Sequence, residues 1–442
     1  MTAAERLMKT AWFRHDRFGL FIHWGLYSVG AHGEWAYSDE CTPEETYNRY
    51  FDLFDPVDYD PVQWIREAKR AGMRYAVMTA KHNDGFCLFD SAYTNYKSTN
   101  TRAGRDLIKE FVDACHSENF KVGLFYSLID WHHPDYPHFA DKYHPRRNDL
   151  DAKQFENNRN FSRYTDYLHN QVRELCTQYG KLDLLWFDFS YDMMSGEKWR
   201  ASELVDMIRT LQPEILINNR LEGSSDEPGS ILSTSPTSYA GDFVCPEQIV
   251  PPRALIDQSG NPVPWEVCVS TNNHFGYHSH DNMWKDPKLI IRKLVECVSK
   301  NGNLLLNIGP DARGNFPKEA LSCLRYIGDW MRLNSASIYG CGSSYLPKPE
   351  WGWYTQAGKR IYAHVFDSNI GPLAMDGLKG KVKSMRLLHD GSDIPIREWK
   401  GTAQYGDYLF VSFGGNIEER TSAIYPLPDD CDTVIEILTK VD

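Results

Sequence analysis

Five short apolar runs of this 442-residue chain each end in a polar, reactive side chain. The five terminal groups are two imidazoles, a phenol, a carboxyl group and a guanidinium group: His23, His82, Tyr126, Asp188 and Arg220. Apolar runs of this length are typical of buried parallel strands. When such strands form a barrel, their carboxyl ends meet on one face, where the active site is built. The pattern therefore predicts an enzyme whose site contains these five side chains.

Asp188 is the best candidate for a reacting group. It ends the run Leu184-Leu185-Trp186-Phe187, and Trp186 shares its face because side chains alternate along a strand. A carboxylate at the end of an apolar strand is costly unless it is paired or functional. Arg220 would brace this carboxylate and hold it ionised. The structural alternative is an aspartate that only caps the loop that follows.

A second carboxyl group is needed if the site hydrolyses a glycosidic bond, because one must protonate the leaving oxygen. The sequence offers three candidates. Glu34 lies after the first predicted strand, Glu247 lies in an irregular loop, and Glu266 begins a later strand. Spacing alone does not choose among them.

Metal chemistry is the main competing hypothesis. The loop from 130 to 138 contains His132, His133 and His138, but prolines and aromatic residues interrupt it. It lacks the helical His-x-x-x-His spacing that presents two imidazoles to one ion. The ten cysteines form no Cys-x-x-Cys pair, which is poor evidence for structural zinc or a disulfide framework. We therefore expect no metal and no organic cofactor.

Composition excludes several classes of partner. The net charge of −12 argues against nucleic acid and disfavours an acidic polymer as substrate. No apolar run reaches the roughly 18 residues of a membrane span. The first residues lack the apolar stretch of a secretory signal. This predicts a cytoplasmic protein if the chain is full length, and a secreted or periplasmic one if a signal was removed.

Strand-like and helical segments alternate over the first three quarters of the chain, which predicts a mostly parallel sheet. Roughly eight strands and six helices fit a TIM-type (β/α)8-like barrel. The alternative, a doubly wound open sheet, lacks a glycine-rich loop after its first strand. The predicted strands end at His23 or cover 75–81, 121–127, 182–188, 215–219, 242–245, 265–270 and 304–308, and the helices cover 61–71, 105–118, 153–179, 197–211, 287–299 and 316–334.

The pattern of residue types changes after about Tyr345. Short β-branched or aromatic runs separated by turn residues predict an antiparallel β-sandwich. We therefore expect two domains, a catalytic barrel over residues 1–344 and a sandwich over 345–442.

Eight motifs, taken in chain order, resemble those of the α-L-fucosidases, family 29 of the glycoside hydrolases. Any one motif is weak, but the ordered set is very specific. The motifs are Phe18-Gly19-Leu20-Phe21-Ile22-His23-Trp24-Gly25, Gly33-Glu34-Trp35, Thr79-Ala80-Lys81-His82-Asn83-Asp84-Gly85-Phe86, Tyr126-Ser127 with Asp130-Trp131, Leu185-Trp186-Phe187-Asp188, Gly241-Asp242 with Pro246-Glu247, Trp265-Glu266, and Asn303-Leu304-Leu305-Leu306-Asn307-Ile308-Gly309-Pro310.

The resemblance implies a catalytic barrel followed by a β-sandwich, and hydrolysis of terminal α-L-fucosides with retention. The substrate would be a fucosylated oligosaccharide or glycoconjugate. Carried over position by position, Asp188 would be the nucleophile and Glu247 the general acid/base. The residues implied to line the sugar pocket are His23, Glu34, Trp35, His82, Tyr126, Trp186 and Arg220, with Phe275 near the fucose methyl group.

Two positions depart from the family pattern. Asn83 replaces a second histidine, and its amide is expected to contact the axial hydroxyl without carrying charge. Phe189 replaces the glycine that usually follows the nucleophile, and it would narrow the pocket floor. Aglycone preference depends on the loops 132–148 and 221–252, whose shape the sequence does not give.

Two other functions stay open at this point. One is a metal-assisted hydrolase on a similar barrel, and the other is a barrel that binds fucosylated glycans without cleaving them. The sequence also leaves open the fucosyl linkage and the choice between monomer and homo-oligomer.

Overall fold

The computed structural model describes residues 2–139, 141–149, 156–192, 194–224, 227–396, 404–413 and 426–440. Within them, seven strands form one parallel sheet with the order β5-β4-β3-β2-β1-β7-β6. No described helix is both long and apolar enough to cross a membrane. The seven strands are β1 (Phe18–Ile22), β2 (Tyr75–Lys81), β3 (Lys121–Ser127), β4 (Leu184–Asp188), β5 (Leu216–Ile217), β6 (Glu266–Ser270) and β7 (Asn303–Ile308).

Residues 243–247 close this sheet into a barrel. Phe243 forms a parallel bridge with Asn218 beyond β5, and Val244 forms one with Trp265 before β6. The approach is tight because Gly241 has φ 84°, and a Cβ atom there would lie 2.5 Å from the carbonyl oxygen of Asn218. The irregular segment takes the place of the predicted strand 242–245. The prediction of a TIM-type barrel is confirmed.

Helices cover the outside of the barrel. The structure describes α1 (Ala3–Lys9), α2 (Ala11–Asp16), α3 (Tyr27–Gly30), α4 (Ala36–Asp39), α5 (Glu44–Leu53), α6 (Pro61–Arg70), α7 (Leu107–Ser117), α8 (Phe161–Gln178), α9 (Ala201–Leu211), α10 (Pro287–Ser299) and α11 (Lys318–Asn334). Short 3-10 helices cover Ser98–Asn100, Glu156–Asn158, Gly196–Trp199, Asn219–Leu221, Gly229–Leu232 and Ser335–Ser337.

Side-chain caps decide where several of these helices begin. Asp106 accepts a hydrogen bond from the backbone N–H of Lys109, so α7 begins two residues later than predicted. Arg200 has φ 53° and ψ 49°, which divides the predicted helix 197–211 into a 3-10 turn and α9. The predicted helix 153–179 begins at Phe161 in the structure, and its residues 153–155 lie outside the described residues.

The last quarter of the chain forms two antiparallel sheets. One has the strand order β12-β14-β10-β9-β8, and the other pairs β11 with β13. Both contribute to one apolar cluster separate from the barrel core, which confirms the predicted β-sandwich. The domain boundary at residue 345 stays a prediction. The strands are β8 (Gly342–Ser343), β9 (Gly352–Ala357), β10 (Arg360–Val365), β11 (Leu373–Met375), β12 (Val382–Leu387), β13 (Leu409–Val411) and β14 (Thr433–Thr439).

Candidate active site

A cavity of about 500 Å³ opens where the carboxyl ends of the barrel strands meet. Its walls include nine of the residues singled out from the sequence. This is the face on which barrels of this class build their active sites. The nine residues are His23, Glu34, Trp35, His82, Trp186, Asp188, Arg220, Glu247 and Phe275.

A single guanidinium group joins the two carboxyl groups of this cavity. Nη1 of Arg220 donates to Oδ1 of Asp188 over 2.8 Å, and Nη2 lies 3.2 Å from Oε2 of Glu247. The two bonded oxygens therefore lie within about 8 Å of each other, because the guanidinium is a small planar fork. The Arg220 side chain is only 1% exposed, so these interactions are weakly screened by solvent.

The strand ends position this trio. Asp188 is the last residue of β4, and the backbone N–H of Phe189 donates to its Oδ1 over 2.8 Å. Arg220 lies in the 3-10 turn just beyond β5, and its Nη2 also donates to the carbonyl oxygen of Cys245 over 3.0 Å. The side chain of Asn218 exchanges two hydrogen bonds with the backbone of Phe187, which ties β5 to β4. The guanidinium is therefore fixed before any substrate binds.

Burial sets the charge state of the nucleophile candidate. It raises the pKa of Asp188 to about 6, while Arg220 opposes this rise and Glu247 adds to it. The carboxyl group is therefore mostly ionised at neutral pH. A carboxylate that is ionised but poorly solvated is well suited to attack an electrophilic carbon.

The two histidines of the cavity are neutral. Burial lowers the pKa of His82 to about 4, and burial together with nearby His82 lowers the pKa of His23 well below its usual range. Nδ1 of His23 lies 2.7 Å from Oδ1 of Asn307, whose amide nitrogen donates to the carbonyl oxygen of Phe275. Nδ1 therefore carries the proton, and Nε2 of His23 is left as a hydrogen-bond acceptor.

Glu34 adds a buried carboxyl group to the wall. Burial raises its pKa, and the backbone N–H of Gly276 donates to its Oε2 over 2.7 Å. This bond also holds the loop that carries Phe275, whose ring centroid lies 5.0 Å from that of His23. Polar groups and an apolar ring thus face the same small volume.

Tyr126 was expected to line the sugar pocket, but the structure does not place it among the residues that line this cavity. Its hydroxyl donates to Oε1 of Gln171 on α8 over 2.7 Å, so the side chain points toward the helix layer. Nζ of Lys81 lies 4.5 Å from the centroid of its ring. The physical reason is strand alternation, because Phe125 takes the inward position and packs against Trp186.

Asn83 is also absent from the cavity wall, although its neighbour His82 lies there. It is fully buried, and its carbonyl oxygen accepts a hydrogen bond from the backbone N–H of Trp131. Its amide lies beside the ring of His82, which adjoins it in the sequence. The expected contact with an axial hydroxyl is therefore not supported by its position.

The structure separates the three candidates for the second carboxyl group. Glu34 and Glu247 line the cavity. Glu266 begins β6, so it lies at the opposite end of the barrel, fully buried, where it accepts a hydrogen bond from the hydroxyl of Tyr75. Burial raises its pKa to about 8.

Sequence reasoning missed most of the cavity mouth. The loops flagged for aglycone preference supply four of the missed residues, but no motif distinguished them from other loop residues. Asp39, Ser190, Tyr191 and Asp192 lie close in sequence to predicted site residues, and that proximity was the available signal. The missed residues are Phe21, Asp39, Lys142, Tyr143, Ser190, Tyr191, Asp192, Ser224, Glu227 and Cys268, with Phe189 singled out only as a departure from the family.

The histidine-rich loop does not assemble a metal site. His132 stacks on Tyr96, and the ring of His138 lies 4.0 Å from that of His144. Among the described residues, no group of three or more His, Cys, Asp or Glu side chains is placed to hold a metal ion.

Comparisons with known proteins agree with the site. The family model described as Alpha-L-fucosidase matches residues 2–336. The tissue alpha-L-fucosidase of Rattus norvegicus is 29% identical over 379 residues, which are 80% of this chain and 75% of the rat protein.

Two solved structures extend the similarity over nearly the whole chain. Alpha-L-fucosidase isoenzyme 1 from Paenibacillus thiaminolyticus is 54% identical, with a TM-score of 0.93 over 99% of this chain and 100% of that one. A Bacteroides thetaiotaomicron family 29 fucosidase is 28% identical, with a TM-score of 0.82 over 98% and 96% of the two chains. Its structure is described as a covalent intermediate, trapped with 2-fluoro-fucosyl fluoride in a glutamate-to-glutamine mutant.

Proposed function

Because the chain belongs to the α-L-fucosidase family, we propose that it removes terminal α-L-fucose from glycans or glycoconjugates by double displacement. Asp188 is the nucleophile and Glu247 the general acid/base. The observation that carries this assignment is the guanidinium of Arg220, which contacts both carboxyl groups at the strand ends of the barrel. No other pair of carboxyl groups among the cavity-lining residues shares a basic partner in this way.

The first step replaces the glycosidic bond by an ester. Asp188 attacks the anomeric carbon, and the bond from that carbon to the leaving oxygen breaks. Protonated Glu247 gives its proton to the departing oxygen, so the aglycone leaves as a neutral alcohol. Glu247 is partly exposed, with a side chain 32% accessible, as suits a group that meets both leaving group and water.

The second step releases fucose. Ionised Glu247 takes a proton from water, the water oxygen attacks the anomeric carbon, and the ester bond to Asp188 breaks. Two inversions give net retention, which requires carboxyl groups about 5–5.5 Å apart, against roughly 6.5–9.5 Å for inversion. The limit of about 8 Å set by Arg220 is compatible with either distance, so retention is proposed from the family resemblance.

The remaining cavity residues bind the sugar. Neutral His23 and His82 offer hydrogen bonds to hydroxyl groups without placing positive charge near the oxocarbenium-like transition state. Phe275 supplies an apolar wall for the methyl group at C5 of fucose. Trp35 and Trp186 provide further aromatic surface.

The decisive experiment replaces the nucleophile. Asp188→Gly is expected to lower kcat/KM on an aryl α-L-fucoside by at least about a thousandfold, because no ester can form. Added azide should restore part of the turnover and give the β-configured fucosyl azide. The matched control is Asp52→Gly at an exposed position of α5, which should leave kcat/KM unchanged. Near-normal turnover of Asp188→Gly would falsify the assignment.

A further inference from the structure

Four aromatic rings form a continuous row from the residue after the nucleophile to the cavity mouth. We call Phe189, Trp35, Tyr143 and Tyr191 the aromatic row. The ring centroids of Phe189 and Trp35 are 5.6 Å apart, those of Trp35 and Tyr143 5.3 Å, and those of Tyr143 and Tyr191 5.2 Å. All four side chains line the cavity. The row begins next to Asp188 in the sequence and reaches the half-exposed Tyr143, so it lines the wall between the reacting groups and solvent.

Apart from Glu34, Asp188, Arg220 and Glu247, the charged residues of the cavity wall are mainly acidic. Asp39, Asp192 and Glu227 line the cavity together with one cation, Lys142. Nζ of Lys142 lies 3.0 Å from Asp192 and about 5 Å from the ring centroids of the row's two tyrosines. Lys142 is therefore paired with Asp192, and two carboxylates of this set, those of Asp39 and Glu227, have no cation beside them among the described ion pairs.

We propose that the aromatic row is the leaving-group site of this enzyme and that it takes a neutral pyranose unit. This inference rests on the proposed function. The C–H face of a pyranose stacks on aromatic rings. The carboxylates of Asp39 and Glu227 accept hydrogen bonds from its hydroxyl groups, which an aryl leaving group lacks. The same carboxylates repel sialylated or sulfated leaving groups.

The row is organised before a substrate arrives. The hydroxyl of Tyr191 bonds to Asp141, and Asp141 also accepts the backbone N–H of Tyr143 over 2.8 Å. The carbonyl oxygen of Tyr143 accepts a hydrogen bond from Ser38 over 2.6 Å. Tyr143 is 40% exposed as a residue and lines the cavity, so a ligand can reach it. Fixing rings in advance lowers the entropy cost of binding.

The test compares donors that differ only in the leaving group. kcat/KM is measured on α-L-fucosyl fluoride, whose leaving group is too small to reach the row, and on a neutral fucosyl disaccharide. Tyr143→Ala should lower kcat/KM about tenfold more on the disaccharide than on the fluoride. Tyr143→Phe keeps the ring and should recover most of this difference. Tyr345→Ala, at an exposed position distant in sequence, should leave both values unchanged.

Each outcome is informative. An equal loss on both donors, or no loss on the disaccharide, overturns the leaving-group site while leaving the proposed function intact. If the wild-type enzyme hydrolyses neither donor, the proposed function itself fails. Because kcat/KM reports steps up to departure of the leaving group, slow release of fucose does not disturb the comparison.

The charge of the leaving group is tested separately. The wild-type enzyme should prefer a neutral fucosyl oligosaccharide to its sulfated counterpart by about tenfold or more at low ionic strength. Asp39→Asn combined with Glu227→Gln should reduce this preference. Equal rates on both substrates in the wild-type enzyme would contradict the proposed class of leaving group.

Discussion

At the scale of single residues, Phe189 is the clearest departure from ordinary chain geometry in the site. Its φ is 77°, in the left-handed region that favours glycine and is a genuine outlier for a bulky side chain. This explains why a glycine is usual at this position in the family. Here the phenylalanine is retained in a strained conformation, with its ring against Trp35 and His82. Strained backbone is concentrated at functional sites, and we infer that the Phe189 ring has a functional role in the cavity.

The strain at Phe189 predicts an inverted order of two variants. Both Phe189→Ala and Phe189→Gly lose the buried ring, but only glycine relieves the backbone, so it should be the more stable of the two by about 1 kcal/mol. At Phe111, buried in α7, the order should be reversed by a similar amount, because glycine is the poorer helix former. Urea denaturation measures all four variants. If the alanine variant has the higher free energy of unfolding at both positions, the backbone of Phe189 is not strained.

Burial of Asp188, opposed by Arg220, sets the acid limb of the pH profile. Asp188 must be ionised to attack. kcat/KM should therefore reach its plateau at pH values well above the Asp188 pKa of about 6, and should fall as the pH drops through that value. Arg220→Gln removes the charge that opposes burial, which raises the pKa of Asp188 further. The acid limb should therefore move to higher pH, by roughly one to three units.

The matched control for this shift is Arg173→Gln, at an exposed position of α8. Its acid limb should coincide with that of the wild type. An acid limb that stays in place in Arg220→Gln would mean that another group controls it.

At the scale of elements, the two ends of the barrel strands give a carboxyl group different environments. Glu247 lies at the open end beside a guanidinium, while Glu266 lies at the closed end against Tyr75 and is fully buried. With its pKa raised to about 8, Glu266 is protonated at neutral pH and acts as a neutral hydrogen-bonding group. The position along the strand therefore separates a reacting carboxyl from a structural one.

Glu266→Gln should keep fucosidase activity, whereas Glu247→Gln should lose it on substrates that need acid assistance. The carboxyl of Glu266 ionises near pH 4.5 when unfolded and near 8 when folded, so the wild type loses stability as the pH rises through this window. The glutamine variant does not titrate. Relative to the wild type, its free energy of unfolding should increase between pH 4.5 and 8, by an amount on the order of a few kcal/mol at pH 8, and denaturation at several pH values measures this. Loss of activity in Glu266→Gln would contradict a purely structural role.

At the scale of the whole molecule, a buried polar contact joins the barrel to the β-sandwich. Nδ1 of His364 on β10 lies 2.7 Å from Oδ2 of Asp432, and Nε2 lies 3.1 Å from Oγ1 of Thr355. The Thr355 hydroxyl donates to the carbonyl oxygen of Ser337, which follows the last barrel helix. Nε2 of His364 therefore donates to the Thr355 hydroxyl, and Nδ1 faces the carboxyl group of Asp432. Both side chains are fully buried.

His364→Leu leaves the carboxylate of Asp432 buried without its partner. The free energy of unfolding should fall by about 3 kcal/mol or more, while the double variant His364→Leu with Asp432→Leu should recover part of the loss. Denaturation of the wild type and the two variants measures the coupling. kcat/KM of the folded protein should not change, because neither residue lines the cavity. A double variant no more stable than the single one would show that packing, not charge, dominates.

The sequence by itself determined the barrel, the sandwich and the family, because strand length, helical periodicity and ordered motifs are local properties. It also identified nine residues that meet at one cavity. It did not show that Tyr126 and Asn83 lie outside the cavity wall, since the end of a strand predicts which edge of the sheet a residue occupies but not where the side chains in and after it point. Only the tertiary structure separated Glu247 from Glu266 by physical position and assembled the aromatic row. Those relations join residues far apart in the chain, and packing alone brings them together.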